Sequence, residues 1–176
     1  MRMSILTNRR DTMALRNIVT VGDSVLSKTC RPVTKFDKRL HTLLDDMADT
    51  LDEAQGAGLA APQVGVLRRV VLVDVGDEAG YLELINPEII ETDGEQTGLE
   101  GCLSVPGKWG IVTRPAYVKI KAQDRYGDWF EAEGEEIVAR CFCHECAHLD
   151  GQLYTEVAEK ILTPEELEEL LSEDEE

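Results

Sequence analysis

Basic residues are scarce in this chain of 176 residues. It has 18 lysines and arginines against 35 aspartates and glutamates, which gives a net charge of −17. Eight of the acids fall in the last twelve residues, so the rest of the chain is acidic as well. Such a surface repels phosphate backbones and anionic headgroups. We therefore expect no direct binding to nucleic acids and no association with membrane surfaces.

Long apolar runs are also missing, which excludes a membrane-spanning helix on sequence grounds. The first twenty residues contain four scattered arginines and no uninterrupted apolar segment, so they do not resemble a secretory signal. Five cysteines are an odd number without the spacing of a disulfide framework. We therefore expect a cytoplasmic protein with reduced thiols.

No linker rich in proline, glycine or serine divides the chain, and its length suits one domain. We expect residues 1–12 to be an extension outside the fold, since Met13 could be the true start. Residues 13–162 are predicted to form the main folded domain, and 163–176 an acidic C-terminal helix and tail. Nothing in the pattern demands more than a monomer.

Hydrophobic periodicity predicts an α+β fold in which mostly antiparallel strands pack around a late helix, with further helices near the two ends. Apolar residues recur at helical spacing over 37–54, and Gly56 and Gly58 are expected to end that helix. Short or alternating apolar patterns predict strands at 69–75, 81–90 with a break at Asn86-Pro87, 116–124 and 129–133. A second helix is predicted over 134–151. Thr163, Pro164 and Glu166 form a capping box that starts the last one.

The most specific motif is His144-Glu145-Cys146-Ala147-His148. On a helix, His148 lies about 40° around the axis from His144, so both imidazoles can bind one metal ion. Glu145 lies at the edge of that face and can reach a water on the ion without being a ligand. The alternative is a pair of histidines with no metal.

A catalytic ion usually has a third protein ligand and one position for water. The candidates are the five cysteines, Cys30, Cys102, Cys141, Cys143 and Cys146, or a distant acid. On the predicted helix, Cys143 and Cys146 face away from His144 and are expected to be buried packing residues, while Cys141 lines the wall of the site. Cys102 lies in an extended segment that can bring a thiolate to the helix, so we predict it as the third ligand.

A glycine-rich segment at 56–65, with the sequence GAGLAAPQVG, allows close backbone approach. It lacks the Gly-Lys-Ser/Thr of a phosphate-binding loop. If Gln63 lies near the metal, its amide could donate a hydrogen bond to a developing oxyanion.

Together, these segments resemble the signature of the peptide deformylases: G-x-G-L-A-A-x-Q, then E-G-C-L-S, then H-E-x-x-H-L-x-G. The resemblance extends over about residues 15–155. It implies an enzyme that removes the formyl group from the N-terminal methionine of newly made polypeptides. Its partners would be N-formylmethionyl nascent peptides.

The resemblance also implies roles for individual residues. Metal ligands would be Cys102, His144 and His148, and the cofactor one divalent ion, Fe²⁺ in the cell, with Zn²⁺, Ni²⁺ or Co²⁺ as replacements. The catalytic residues would be Glu145 as general acid and base, with Gln63 and the Leu103 N–H holding the oxyanion. Gly58, Ile137 and Cys141 would line the methionine pocket.

Two positions depart from the commonest family pattern: Cys143 replaces a glutamine, and Ala147 replaces an acid. Such an acid would orient a ligand from outside the coordination sphere, so its loss is expected to affect the rigidity of the site. Two other functions remain open at this point. One is a general HExxH zinc metallopeptidase with a further ligand after His148, and the other is a non-catalytic metal or thiol protein.

Overall fold

The computed structural model describes residues 14–76 and 80–175, so the predicted extension at 1–12 lies outside the described residues. It confirms the α+β fold with antiparallel sheets. The three α-helices are α1 (Lys38–Ala54), α2 (Glu136–Leu149) and α3 (Pro164–Glu173). The eight strands are β1 (Gly58–Ala60), β2 (Val70–Asp74), β3 (Tyr81–Asp93), β4 (Gln96–Cys102), β5 (Val105–Arg114), β6 (Tyr117–Gln123), β7 (Trp129–Glu135) and β8 (Lys160–Ile161).

Strand β2 separates the two main cores. It lies inside the larger sheet, whose order is β1-β2-β3-β6-β7. Because side chains alternate between the faces of a strand, Val71 and Val73 join the core beneath α2, while Val70 and Leu72 join the core beneath α1. Burial on both faces explains why this strand has an unbroken apolar sequence.

The predicted first helix is confirmed, with the Asp37 carboxylate accepting a hydrogen bond from the Leu40 N–H at 3.2 Å. The helix ends at Ala54 as predicted, but the residue that takes the left-handed conformation after it is Gln55, with φ 54°, and not a glycine. The expected break at Asn86-Pro87 is a register shift inside the single strand β3. Asn86 has φ 51°, and its side chain ties the bulge to Val33 through two hydrogen bonds.

The smaller sheet, with order β4-β5-β8, was not predicted apart from the extended segment at Cys102. Its first two strands contain four glycines and little apolar alternation, so the usual strand signals are weak there. The β6–β7 hairpin and both later helices are confirmed. None of the described helices is long and apolar enough to cross a membrane.

Candidate metal centre

Three donor atoms converge where the smaller sheet meets α2. The sulfur of Cys102, at the end of β4, and one ring nitrogen each from His144 and His148 all lie within 4.8 Å of one another. The Cys102 sulfur is 3.3 Å from Nε2 of His148. Among the described residues, this is the one cluster of histidine, cysteine or acidic side chains with spacing suited to a metal ion. The structure therefore brings the three predicted ligands together.

His144 is oriented from behind by a buried carboxylate. Glu100 accepts a hydrogen bond from Nδ1 of His144 at 2.8 Å, which leaves the other ring nitrogen free to face the site. Two arginines hold Glu100 in turn: Arg114 at 3.1 and 2.7 Å, and Arg140 at 3.1 Å. Glu100 and Arg140 are only 5% and 6% exposed.

The buried ion cluster of Glu100, Arg114 and Arg140 was not predicted from the sequence. One signal was available, because Glu100 lies two residues before Cys102 in an extended segment, and alternate residues share a face. Nothing local indicated that the arginines, on β5 and α2, would meet there.

His148 has no such support. Its Nδ1 is buried and has no hydrogen-bond partner among the described residues. The preceding residue is Ala147, which cannot provide one. The two ligand histidines therefore differ, since a charged network holds Nδ1 of His144 while Nδ1 of His148 has no partner among the described residues.

Burial and neighbouring charges shift the pKa values of the two histidines in opposite directions, so a bound ion would displace the proton of His144. Burial opposes a charge on the His144 ring, but the Cys102 sulfur and the Glu100 carboxylate raise its pKa to about 10. Burial raises the pKa of Glu100, yet hydrogen bonds from His144 and Arg114 outweigh it and lower the value to about 2. Burial lowers the pKa of His148 to about 3, so this ring is neutral, as a ligand must be.

Glu145 lines the same cavity as Cys102 and His144 and is 4% exposed. Burial raises the pKa of its carboxyl group to about 7, against the opposing effect of His144. Its Oε2 has no hydrogen-bond partner among the described residues. Gly58 provides the space, because a Cβ there would lie 2.7 Å from Oε1 of Glu145. Burial thus makes this carboxyl group bind a proton more readily than an exposed glutamate does.

Gln63 is oriented towards the same place. Its Oε1 accepts a hydrogen bond from the Ala60 N–H at 2.9 Å, which fixes the amide plane. Its Nε2 then points to the Cys102 sulfur, 3.6 Å away, and donates to the Ser104 hydroxyl at 3.1 Å. The glycine-rich segment thus delivers a hydrogen-bond donor to the centre.

A cavity of about 460 Å³ opens next to these groups. It is lined by every residue predicted for catalysis or the methionine pocket: Gly58, Gln63, Leu103, Ile137, Cys141 and Glu145. Ile137 is 63% exposed and therefore lies at the rim. Trp109, at 41% exposure, is a second rim residue that sequence analysis did not identify. Cys30 is buried in the core beneath α2 instead, and Cys143 and Cys146 are partly buried and pack against that core.

Comparison with known proteins gives a consistent result. The family model described as "Polypeptide deformylase" matches residues 15–163. The chain is 59% identical over 150 residues to the peptide deformylase of Agathobacter rectalis, covering 85% of this chain and 94% of that protein. It is 61% identical over 145 residues to the peptide deformylase of Lachnoclostridium phytofermentans, covering 82% and 89%.

Two solved structures are similar as well. The crystal structure of a peptide deformylase from Legionella pneumophila superposes with a TM-score of 0.79 at 40% identity, covering 92% of this chain and 98% of that one. A Met-Ala-Ser-bound class I type b peptide deformylase from Acinetobacter baumannii superposes with a TM-score of 0.78 at 32% identity, covering 83% and 99%.

Proposed function

The chain belongs to the peptide deformylase family, and we propose that Cys102, His144 and His148 hold the divalent ion on which its reaction depends. It is an enzyme that removes the formyl group from N-terminal formylmethionine, acting on formylated nascent peptides. The observation that carries the proposed ligand set is the convergence of three donor atoms within 4.8 Å beside a buried glutamate.

The donor set fits a divalent metal. One thiolate and two neutral imidazoles balance part of a 2+ charge, and they suit iron, zinc, nickel or cobalt rather than magnesium or calcium. We propose Fe²⁺ as the ion in the cell, with the other three as replacements. When bound, such an ion acts as a Lewis acid that makes water a competent nucleophile near neutral pH.

The surrounding residues would each serve one step of the hydrolysis. Glu145 accepts a proton from the attacking water and returns it to the departing amine, releasing formate. Gln63 Nε2 and the Leu103 N–H donate hydrogen bonds to the formyl oxygen as it gains negative charge.

Substrate binding uses the neighbouring cavity. Gly58, Ile137 and Cys141 contact the methionine side chain, because they line the cavity next to Glu145. The chain acts as a monomer in the cytoplasm, where formylated peptides emerge from synthesis.

The two other functions considered from the sequence have less support. A general metallopeptidase needs a ligand after His148, but the third donor among the described residues is Cys102. A non-catalytic metal protein gives no reason for Glu145 to be buried beside the donors with one oxygen lacking a hydrogen-bond partner.

Two substitutions test the proposed roles, with each protein purified anaerobically. Cys102→Ser should lose nearly all bound metal by elemental analysis. Glu145→Gln should keep its metal but release almost no formate from formyl-Met-Ala-Ser. Cys143→Ser is the matched control, since this cysteine packs into the core rather than the centre, and it should keep both properties. Full metal content in Cys102→Ser, or ordinary activity in Glu145→Gln, would refute the assignment.

A further inference from the structure

A second cavity shares no lining residue with the cavity at the metal centre. Several of the chain's lysines and arginines line it. It has a volume of about 470 Å³ and lies beside the beginning of α1. Four basic side chains line it: Arg16, Lys35, Arg39 and Arg68. Four of the 18 lysines and arginines thus meet at one place in a chain of net charge −17.

Most of this positive charge is not neutralised locally. Arg16 pairs with Asp46 at 2.9 Å. No carboxylate in residues 14–76 and 80–175 lies within ion-pair distance of Lys35, Arg39 or Arg68. Asp37 lines the cavity too, but its carboxylate accepts the capping hydrogen bond from Leu40. Lys35, Arg39 and Arg68 are exposed around one cavity, so their charges add to a local positive field that attracts anions.

The start of α1 adds to this field. Its first turn contains no acidic residue and has Lys38 and Arg39 instead. Cations are disfavoured at the positive end of a helix dipole, so local helix stability does not explain this choice. The Asp37 N-cap supplies a carboxylate at this end of the helix, and a bound anion would add further negative charge beside Lys35 and Arg39.

The floor of the cavity is apolar. Val33, Leu40 and Leu43 are 6–8% exposed and line it together with Val66. An apolar floor below a basic rim suits a ligand with both an organic ring and several negative charges. The volume also lies within the range of small-molecule sites, about 300–1,000 Å³.

We propose that this cavity binds a small organic polyphosphate of the nucleoside diphosphate or triphosphate class. Arg39, Arg68 and Lys35 contact the phosphates, and the organic part lies on Val33 and Leu40. A small ligand fits better than an RNA strand, because a polyanion must approach a protein whose total charge is −17, whereas a small ligand meets mainly the local field.

Titration calorimetry with ADP as the probe tests this site in the metal-loaded protein. We expect saturable 1:1 binding that weakens as salt is raised, and no binding of adenosine, which lacks phosphates. Arg39→Gln and Arg68→Gln should each weaken ADP binding about tenfold, as expected for loss of one charged hydrogen bond. Lys38→Gln is the matched control, because it removes the same charge from the same helical turn without lining the cavity. It should change the affinity less than about twofold.

Formate release is measured alongside and should be unchanged in all three variants, which shows that they are folded. Absence of ADP binding at millimolar concentration would overturn the proposal, and so would equal binding by wild type, Arg39→Gln and Arg68→Gln. Tighter binding of polyuridylate than of ADP, lost in the same two variants, would also overturn it, because the cavity would then be part of an RNA surface. All these outcomes are independent of the roles proposed for the metal centre.

Discussion

Helices α2 and α3 lie close together in the chain but are stabilised in different ways. Half of the fourteen residues of α2 are buried, including both ligand histidines, Glu145 and Arg140. None of the ten residues of α3 is buried. The capping interactions show the opposite order. Helix α3 has a complete capping box, whereas α2 has no side-chain cap and begins at Glu136 with φ 50°.

The difference shows where the free energy of each helix originates. A short isolated helix is marginal in water, so α3 needs its caps and its pairing with Lys160 to form at all. Helix α2 is held by packing against the larger sheet and by the buried ion cluster, and therefore tolerates a poor start. Two of the three proposed metal ligands, His144 and His148, lie on the helix whose position is fixed by the rest of the fold.

Removal of the metal should have the largest effect on activity and stability. The structural change should be confined to α2 and its neighbours. A chelator should abolish formate release and lower the free energy of unfolding, by about 4 kcal/mol if free ion had been present at a thousand times its Kd. Backbone amide signals of α3 should not move. Retained activity in excess chelator would contradict the proposed role of the ion.

Glu100→Gln should weaken the site next most strongly. Replacing the carboxylate leaves Arg114 and Arg140 buried without a counterion, which costs about 3 kcal/mol of stability, as for other broken buried ion pairs. His144 loses its charged partner, so metal affinity should fall about 10–100-fold. Chemical denaturation and metal titration measure the two effects. An unchanged metal affinity would show that packing alone orients His144.

The sequence predicted the parts of this arrangement that depend on short spacing. The two histidines and the glutamate were identified because a helix places residues 144, 145 and 148 at known angles. The caps of α3 were predicted because each contact spans three residues. Cys102 was predicted as the third ligand because an extended segment can bring a thiolate to the helix, whereas the role of Gln63 depended on the resemblance to a family.

What the sequence did not reveal depends on contacts between distant segments. Arg140 and Glu100 are forty positions apart and meet only because the smaller sheet packs against α2. The β4–β5–β8 sheet was missed for a related reason: its glycines serve close contacts, such as Gly101 under the Trp109 ring, rather than an apolar pattern. Gln55 ends α1 in a left-handed conformation that residue preferences assign to glycine.

Gly58→Ala should affect catalysis without affecting metal binding. The added methyl carbon would lie 2.7 Å from Oε1 and 2.9 Å from Cγ of Glu145, so the buried carboxylate must move. Because small displacements of a catalytic group are costly, we expect kcat to fall about tenfold or more. Gly98→Ala is the control, since its new carbon would lie at an ordinary 3.5 Å from Arg140. Normal kcat in Gly58→Ala would mean that this position does not constrain the base.

Ala147→Asp should have a small effect, although it restores an acid at this position. Adjacent residues on a helix do not face each other, so an aspartate at 147 should not reach Nδ1 of His148. We expect metal affinity to change less than about threefold by competitive titration. Tenfold tighter binding would instead show that the new carboxylate orients His148, and the two ligand histidines would then become alike.

The smallest effect concerns the pH dependence of α3. The Lys160 ammonium and the Thr163 backbone N–H lower the pKa of Glu166 below its usual range. A carboxyl group with a lower pKa in the folded state stabilises that state fully above the pKa of the unfolded chain, near 4.3, and loses this contribution as pH falls through the folded value. The amide signals of α3 should therefore move towards unfolded values in acid before those of α2 do.

Glu166→Gln should remove this early transition, since the amide cannot titrate. If formate release followed the same transition at pH values where the metal stays bound, α3 would be coupled to the centre, and the contrast between the two helices would not hold.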